Sequence, residues 1–296
     1  MTIRFKTFIK EGGNAVEDVV KINQENAKDT LEDIYKNYLP ALGLTKKDVE
    51  PLGSIGKKGP GQQSGDIDLA ISAPAILKSK KMNSMNEILE FIGDLAKKNG
   101  HKFKIMKGLG IVSVAFPIHN TDGKQPDSVV QLDFMIVDDV KYASWSYFSP
   151  DYLQSELKGL YRNILNFAVA KHAGFKVTKI DPATKTPIEW SRYVMSMGEG
   201  LFKGLQTNLS AKTGKPTKST RYISKEKITN NPDEIVKFLY GSKYKASDIL
   251  TFEQAFAAIK SNSFPYKSER KKIFKMASEG IQSAGYPIPE VLAKEI

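Results

Sequence analysis

One stretch constrains this chain more than any other: a glycine- and lysine-rich loop from Gly53 to Gly65 that runs directly into Asp66-Ile-Asp-Leu-Ala-Ile-Ser72. Gly59-Pro60-Gly61 inside the loop can be neither helix interior nor central strand. In the run that follows, Ile67, Leu69 and Ile71 alternate with Asp66, Asp68 and Ala70. A period of two predicts a strand, with Asp66 and Asp68 on one face and the three aliphatics on the other. A second run, Val129 to Val137, carries a lone carboxylate, Asp133, between Leu132 and Phe134, and an acid in such company needs a partner. Three carboxylates on adjacent strands repel one another unless a cation sits among them. Magnesium, or manganese in its place, suits an all-carboxylate set completed by water and phosphate oxygens.

The rest of the chain supplies the frame. Helical spacing of apolar residues predicts a helix from Val16 to Leu39 closed by Gly43, and another from Met85 to Lys97 ended by Asn99-Gly100. Lys102–Met106 and Ile111–Ile118 read as strands, followed by the turn Asn120-Thr-Asp-Gly123. Ser149-Pro150-Asp151 offers an N-cap, a proline at the first helical position and an early acid. It predicts a helix to about Lys171 with Leu153, Leu157, Leu160, Ile164, Leu165 and Ala168 on one face. Beyond it the pattern is mostly helical, and Thr207 to Asn231 reads as a polar basic loop. The expected fold class is α+β. A leader (1–14) precedes a mixed sheet with helices (15–148), and a mainly helical basic domain (149–296) follows.

Charge separates the two halves. Residues 1–150 carry 20 basic and 19 acidic side chains, whereas residues 151–296 carry 24 and 14, so nearly all of the net +11 lies in the second half. Clustered lysines and arginines favour polyanions; a lysine-rich solubilising face is the competing reading. Lys158 and Arg162 lie one turn apart on the expected helix, either within reach of a triphosphate or as an exposed basic face. With no cysteine, the chain has no disulfide, thiolate zinc site or cysteine nucleophile. No apolar run approaches the ~20 residues of a membrane helix. The start, Met-Thr-Ile-Arg-Phe-Lys, lacks the apolar core of a secretory signal, so a cytoplasmic location is expected.

Leu52-Gly-Ser-Ile-Gly-Lys-Lys-Gly-Pro-Gly-Gln-Gln-Ser-Gly-Asp-Ile-Asp-Leu69 resembles the signature of the DNA polymerase beta-like nucleotidyltransferase superfamily. The resemblance spans about residues 30–140. It implies transfer of a nucleoside monophosphate from a nucleoside triphosphate to an acceptor hydroxyl, with release of pyrophosphate. It implies that Gly53, Ser54, Lys57, Ser64 and Gly65 surround the triphosphate, and that Asp66, Asp68 and Asp133 hold the metal and carry catalysis. Gln131 stands where DNA polymerase beta has an arginine, which argues against a DNA polymerase. A template-independent transferase acting on an RNA 3′ end is the first expectation. The alternatives are transfer to a protein or small molecule, and a virion-associated binding protein without turnover. Phe5-Lys-Thr-Phe-Ile-Lys-Glu-Gly-Gly13 resembles the capsid-targeting peptides of large tailed bacteriophages, which implies cleavage after Ile9-Lys10-Glu11; a plain amphipathic leader is the other reading.

Overall fold

The computed structural model describes residues 15–151, 153–173, 178–188 and 191–296. The expected leader and its cleavage sequence lie outside them. The chain forms two compact units that divide between Glu156 and Leu157. Among the described residues no helix is long and apolar enough to cross a membrane.

In the first unit, Ile22–Asn23 (β1) leads into Gln24–Leu42 (α1), and Val49–Pro51 (β2) is followed by Gln63–Ser64 (β3) and Asp66–Ser72 (β4). Two helices, Ala73–Lys80 (α2) and Met85–Lys98 (α3), precede Phe103–Met106 (β5), Ile111–Pro117 (β6) and Val129–Val137 (β7); Val140–Ser146 (α4) comes last. Five strands make one mixed sheet in the order β2-β4-β7-β6-β5, with β4 and β7 parallel and the other neighbours antiparallel. β1 and β3 pair separately.

The two faces of this sheet differ. Ile67, Leu69 and Ile71 join Leu132, Phe134 and Ile136 in a core with Ile34 and Tyr38 of α1 and Ile88 and Ile92 of α3. Each such side chain contributes about 1.5–3 kcal/mol when fully buried. The same burial locks the register, because a slip of one residue would drive the carboxylates into this core. On the other face, Ala143 of α4 packs with Ala70, Met135, Val137 and Leu52. That cover lies toward the C-terminal ends of β4 and β7, beyond Asp66, Asp68 and Asp133.

The expected helix from Val16 starts late. Asp18 takes a left-handed φ of 62°, and the Val20 N–H donates to the Val129 carbonyl at 2.8 Å, so residues 16–20 are a bend and turn leading toward β1, not a helix, despite their helical spacing. Gly43 does close α1, at φ 68°, with its N–H on the Pro40 carbonyl at 3.1 Å.

The second unit departs further from expectation. Its first helix is Gly159–His172 (α5), not a helix from Ser149. Asp151 Oδ1 accepts the Leu153 N–H at 2.9 Å, and Gln154 Oε1 accepts the Asp151 N–H at 3.1 Å, so the capping signal closes a local turn instead. Leu153, expected on the core face, is 80% exposed.

The short strands Lys179–Ile180 (β8) and Pro187–Ile188 (β9) pair, and Ser191–Ser196 (β10), Gly200–Leu209 (β11) and Pro216–Thr229 (β12) form an antiparallel sheet in that order. This corrects the expectation of a helical domain with a basic loop at 207–231. β12 is an edge strand rich in Thr, Lys, Ser and Ile, largely exposed and interrupted by register shifts, so it never shows the apolar alternation that marks a half-buried strand. Pro232–Tyr240 (α6), Phe252–Lys260 (α7), Arg270–Ser283 (α8) and Glu290–Ala293 (α9) complete the unit. α5 packs on α6, α7, α8 and β10.

Candidate metal centre

Strand pairing brings the expected carboxylates together. Because β4 and β7 are parallel, Asp68 lies directly beside Asp133, and Asp66 beside Gln131. Asp66, Asp68 and Asp133 each offer a carboxylate oxygen, all within 4.8 Å of one another. Asp133 is 8% exposed, and Asp66 and Asp68 are partly exposed. Such a cluster could hold a metal ion. Its donor set fits: three hard oxygens, desolvated and crowded, with Lys58 bearing on Asp66.

The electrostatics record that crowding. Burial, and then the Asp133 charge, push Asp66 up to about 6, while Lys58 restrains the rise. Asp68 is raised well above the carboxylate range, first by burial and then by Asp66 and Asp133. Burial also raises Asp133, and the polar side chains of Ser113 and Gln131 hold it back. These carboxyls therefore resist ionising in the absence of a cation.

The turn after β2 shapes one wall. Gly53 has φ 63°, and a Cβ built on it would stand 2.7 Å from Asp68 Oδ2, so glycine is required both by the backbone and by the carboxylate lying against it. Gly53 also bridges in parallel to Phe148, just past α4. Lys57 Nζ lies 5.1 Å from the centre of the Phe148 ring, and desolvation lowers its pKa. Burial raises the Tyr147 hydroxyl, with the Asp68 charge adding to it.

Ser54 and Ser64, ten positions apart in the sequence, meet hydroxyl to hydroxyl at 3.0 Å. Gln24 Nε2 donates to Ser64 Oγ at 2.8 Å. Gly65 links β3 to β4.

Lys158 and Arg162 belong to the other unit. Lys158 caps α5, with Nζ over the Tyr286 ring at 4.9 Å. Arg162 is fully buried and donates from Nε and Nη2 to Asn163 Oδ1 at 3.2 and 2.8 Å, so it forms no exposed basic face and presents no guanidinium to a triphosphate in solvent.

Sequence reasoning passed over the hydrogen-bonding role of Gln131. The signal was available, since Gln131 precedes Asp133 by two on a strand and so shares its face. Compared with known proteins, the sequence matches no family model and no curated protein.

Proposed function

We propose that this protein is a metal-dependent nucleotidyltransferase that moves a nucleoside monophosphate from a triphosphate to an RNA 3′ hydroxyl. The observation that carries the reading is the meeting of Asp66, Asp68 and Asp133 behind the Gly53-Ser54 turn, with Ser64 returned to Ser54 by the loop.

Asp66, Asp68 and Asp133 would hold magnesium or manganese. Once bound, the ion neutralises charge on the transferring phosphate and eases loss of the hydroxyl proton. Ser54 and Ser64 offer hydroxyl donors to triphosphate oxygens, Gly53 and Gly65 offer backbone N–H groups without side-chain bulk, and Lys57 and Lys58 offset phosphate charge. Asp133 orients the acceptor hydroxyl and takes its proton as oxygen bonds to the α-phosphorus and the bond to the pyrophosphate oxygen breaks.

RNA is favoured as acceptor by the basic second half. Residues 191–229 alone carry eight basic and two acidic side chains.

The test offers each labelled nucleoside triphosphate, with magnesium or manganese, to pools of RNA, DNA and protein, with Asp66→Asn/Asp68→Asn as control. Label in RNA that disappears in the control is expected. Label in protein alone assigns the other acceptor class. No transfer, or transfer that survives in the control, overturns the reading.

A further inference from the structure

Gln131 is 2% exposed and makes hydrogen bonds from both ends of its amide. Nε2 donates to Asp133 Oδ1 at 3.0 Å and to Oδ2 at 3.1 Å. Oε1 accepts the Ala15 N–H at 2.8 Å and the Val16 N–H at 3.3 Å. Only one orientation of the amide serves both sides. Turned over, its oxygen would face a carboxylate and its NH2 would face two backbone donors. Arginine could supply the donors but has no acceptor for Ala15 and Val16. Glutamate could supply the acceptor but would set a second negative charge against Asp133. Glutamine alone of the three joins the lead-in to α1 with the carboxylate on β7.

We propose that Gln131 is a positioning residue of the metal centre and that, through it, the Ala15–Val16 backbone is a working part of that centre. The inference rests on the metal reading above and adds to it a connection to the segment ahead of α1. A nitrogen shared between both oxygens fixes the plane of the Asp133 carboxyl before any ion arrives. The amide is fixed in turn by two backbone donors more than a hundred residues away in sequence. Partners that orient a ligand in this way change metal affinity by roughly 10–100-fold when removed. The connection is reciprocal by thermodynamic linkage: if an ordered Ala15–Val16 segment favours the ion, the ion must favour order in that segment to the same degree.

The test uses the full chain with manganese alone, without nucleotide, and reads two quantities: the manganese dissociation constant by calorimetry, and amide hydrogen exchange at Ala15 and Val16. Gln131→Met removes both halves of the connection at nearly constant volume. Ala15→Pro removes one backbone donor outside the buried site and leaves the Gln131–Asp133 contact in place, so it serves if the core variant does not fold. Asp133→Asn reports on the metal reading itself.

Manganese is expected to slow exchange at Ala15 and Val16 in the parent protein. Its affinity should fall about 10–100-fold in Gln131→Met and by a smaller factor in Ala15→Pro. If manganese binds the parent in an Asp133-dependent way, yet binds both variants equally tightly and leaves the two amides unchanged, the positioning role is wrong and the metal centre stands. If the parent binds no manganese, or Asp133→Asn binds it as well as the parent, both readings fall.

Discussion

Two sheets in this protein collect like charges, and they treat them in opposite ways. In the first unit, parallel pairing sets Asp68 beside Asp133 with Asp66 one pleat away, all crowded by protein atoms, and Lys58 eases Asp66. In the second unit, β11 and β12 carry Lys203, Lys225 and Lys227 in the open. There Lys203 pairs across the strands with Glu226, and Lys225 Nζ reaches Glu199 at 2.7 Å. Number of charges does not separate the two; access to water does. Solvated lysines need nothing further, whereas desolvated carboxylates need either protons or a cation.

The comparison breaks most decisively at the triad. Asp68→Asn should lower turnover on the order of 10³-fold, as removal of a charge-stabilising group does. The same change should raise the melting temperature of the metal-free protein, because it removes a buried carboxyl that the fold keeps from ionising. Transfer assays and thermal melts in chelator check the two halves, and a metal-free variant that melts lower than the parent contradicts the account.

Next comes Gly53→Ala. A left-handed φ costs a residue with a Cβ about 1–2 kcal/mol, and the new methyl would displace the Asp68 carboxylate. Denaturant unfolding should show that loss, together with weaker metal binding.

A smaller effect follows from pH. Between the ordinary carboxylate value of 3.8 and about 6, folded Asp66 keeps a proton that the unfolded chain gives up. The native state then binds more protons, so stability of the metal-free protein falls as pH rises through this window. Asp68 and Asp133 act in the same direction, and Lys58 opposes them. Melts from pH 4 to 7 should decline by a few degrees in chelator, and magnesium should offset the decline above about pH 6, where Asp66 gives up its proton.

The lysine sheet should respond least. Lys227→Gln should change stability by no more than about 0.5 kcal/mol, yet weaken retention on an RNA column at low salt. Unfolding and salt-elution profiles measured on the same protein sharpen the contrast between a charge that matters to the fold and one that matters to a partner.

The sequence was legible where burial is one-sided. β4 and β7 appear at their expected bounds, because alternating or continuous aliphatics leave few choices, and the Gly53 turn is marked by a residue that nothing bulkier can replace. It was misleading where a local signal had no core behind it. Val16, Val19 and Val20 fall at helical spacing, but Asp18 in the left-handed region and the bond from Val20 to Val129 draw them out. Ser149-Pro150-Asp151 is a sound cap with no buried face to follow, and Leu153 points into water. β12 was hidden for the converse reason: an edge strand of Thr, Ser, Lys and Tyr keeps its ladder but buries too little to print a pattern. In the candidate site, residue types were readable and connections were not. Nothing in Ala15 or Val16 announces that their backbone ends on Gln131.

The parallel pairing of β4 with β7 has a kinetic consequence. Parallel neighbours cannot be joined by a tight hairpin, so the chain leaves β4, builds α2, α3, β5 and β6, and only then returns with β7. The pairing of Asp68 with Asp133 is thus a contact of large sequence separation, reached after the loop-closure entropy of everything between them has been met. During synthesis the Gly53–Gly65 turn and the first two acids emerge well before the third. A product that stops short of Val129 holds only two of the three carboxylates, and the cluster stays incomplete until β7 is made.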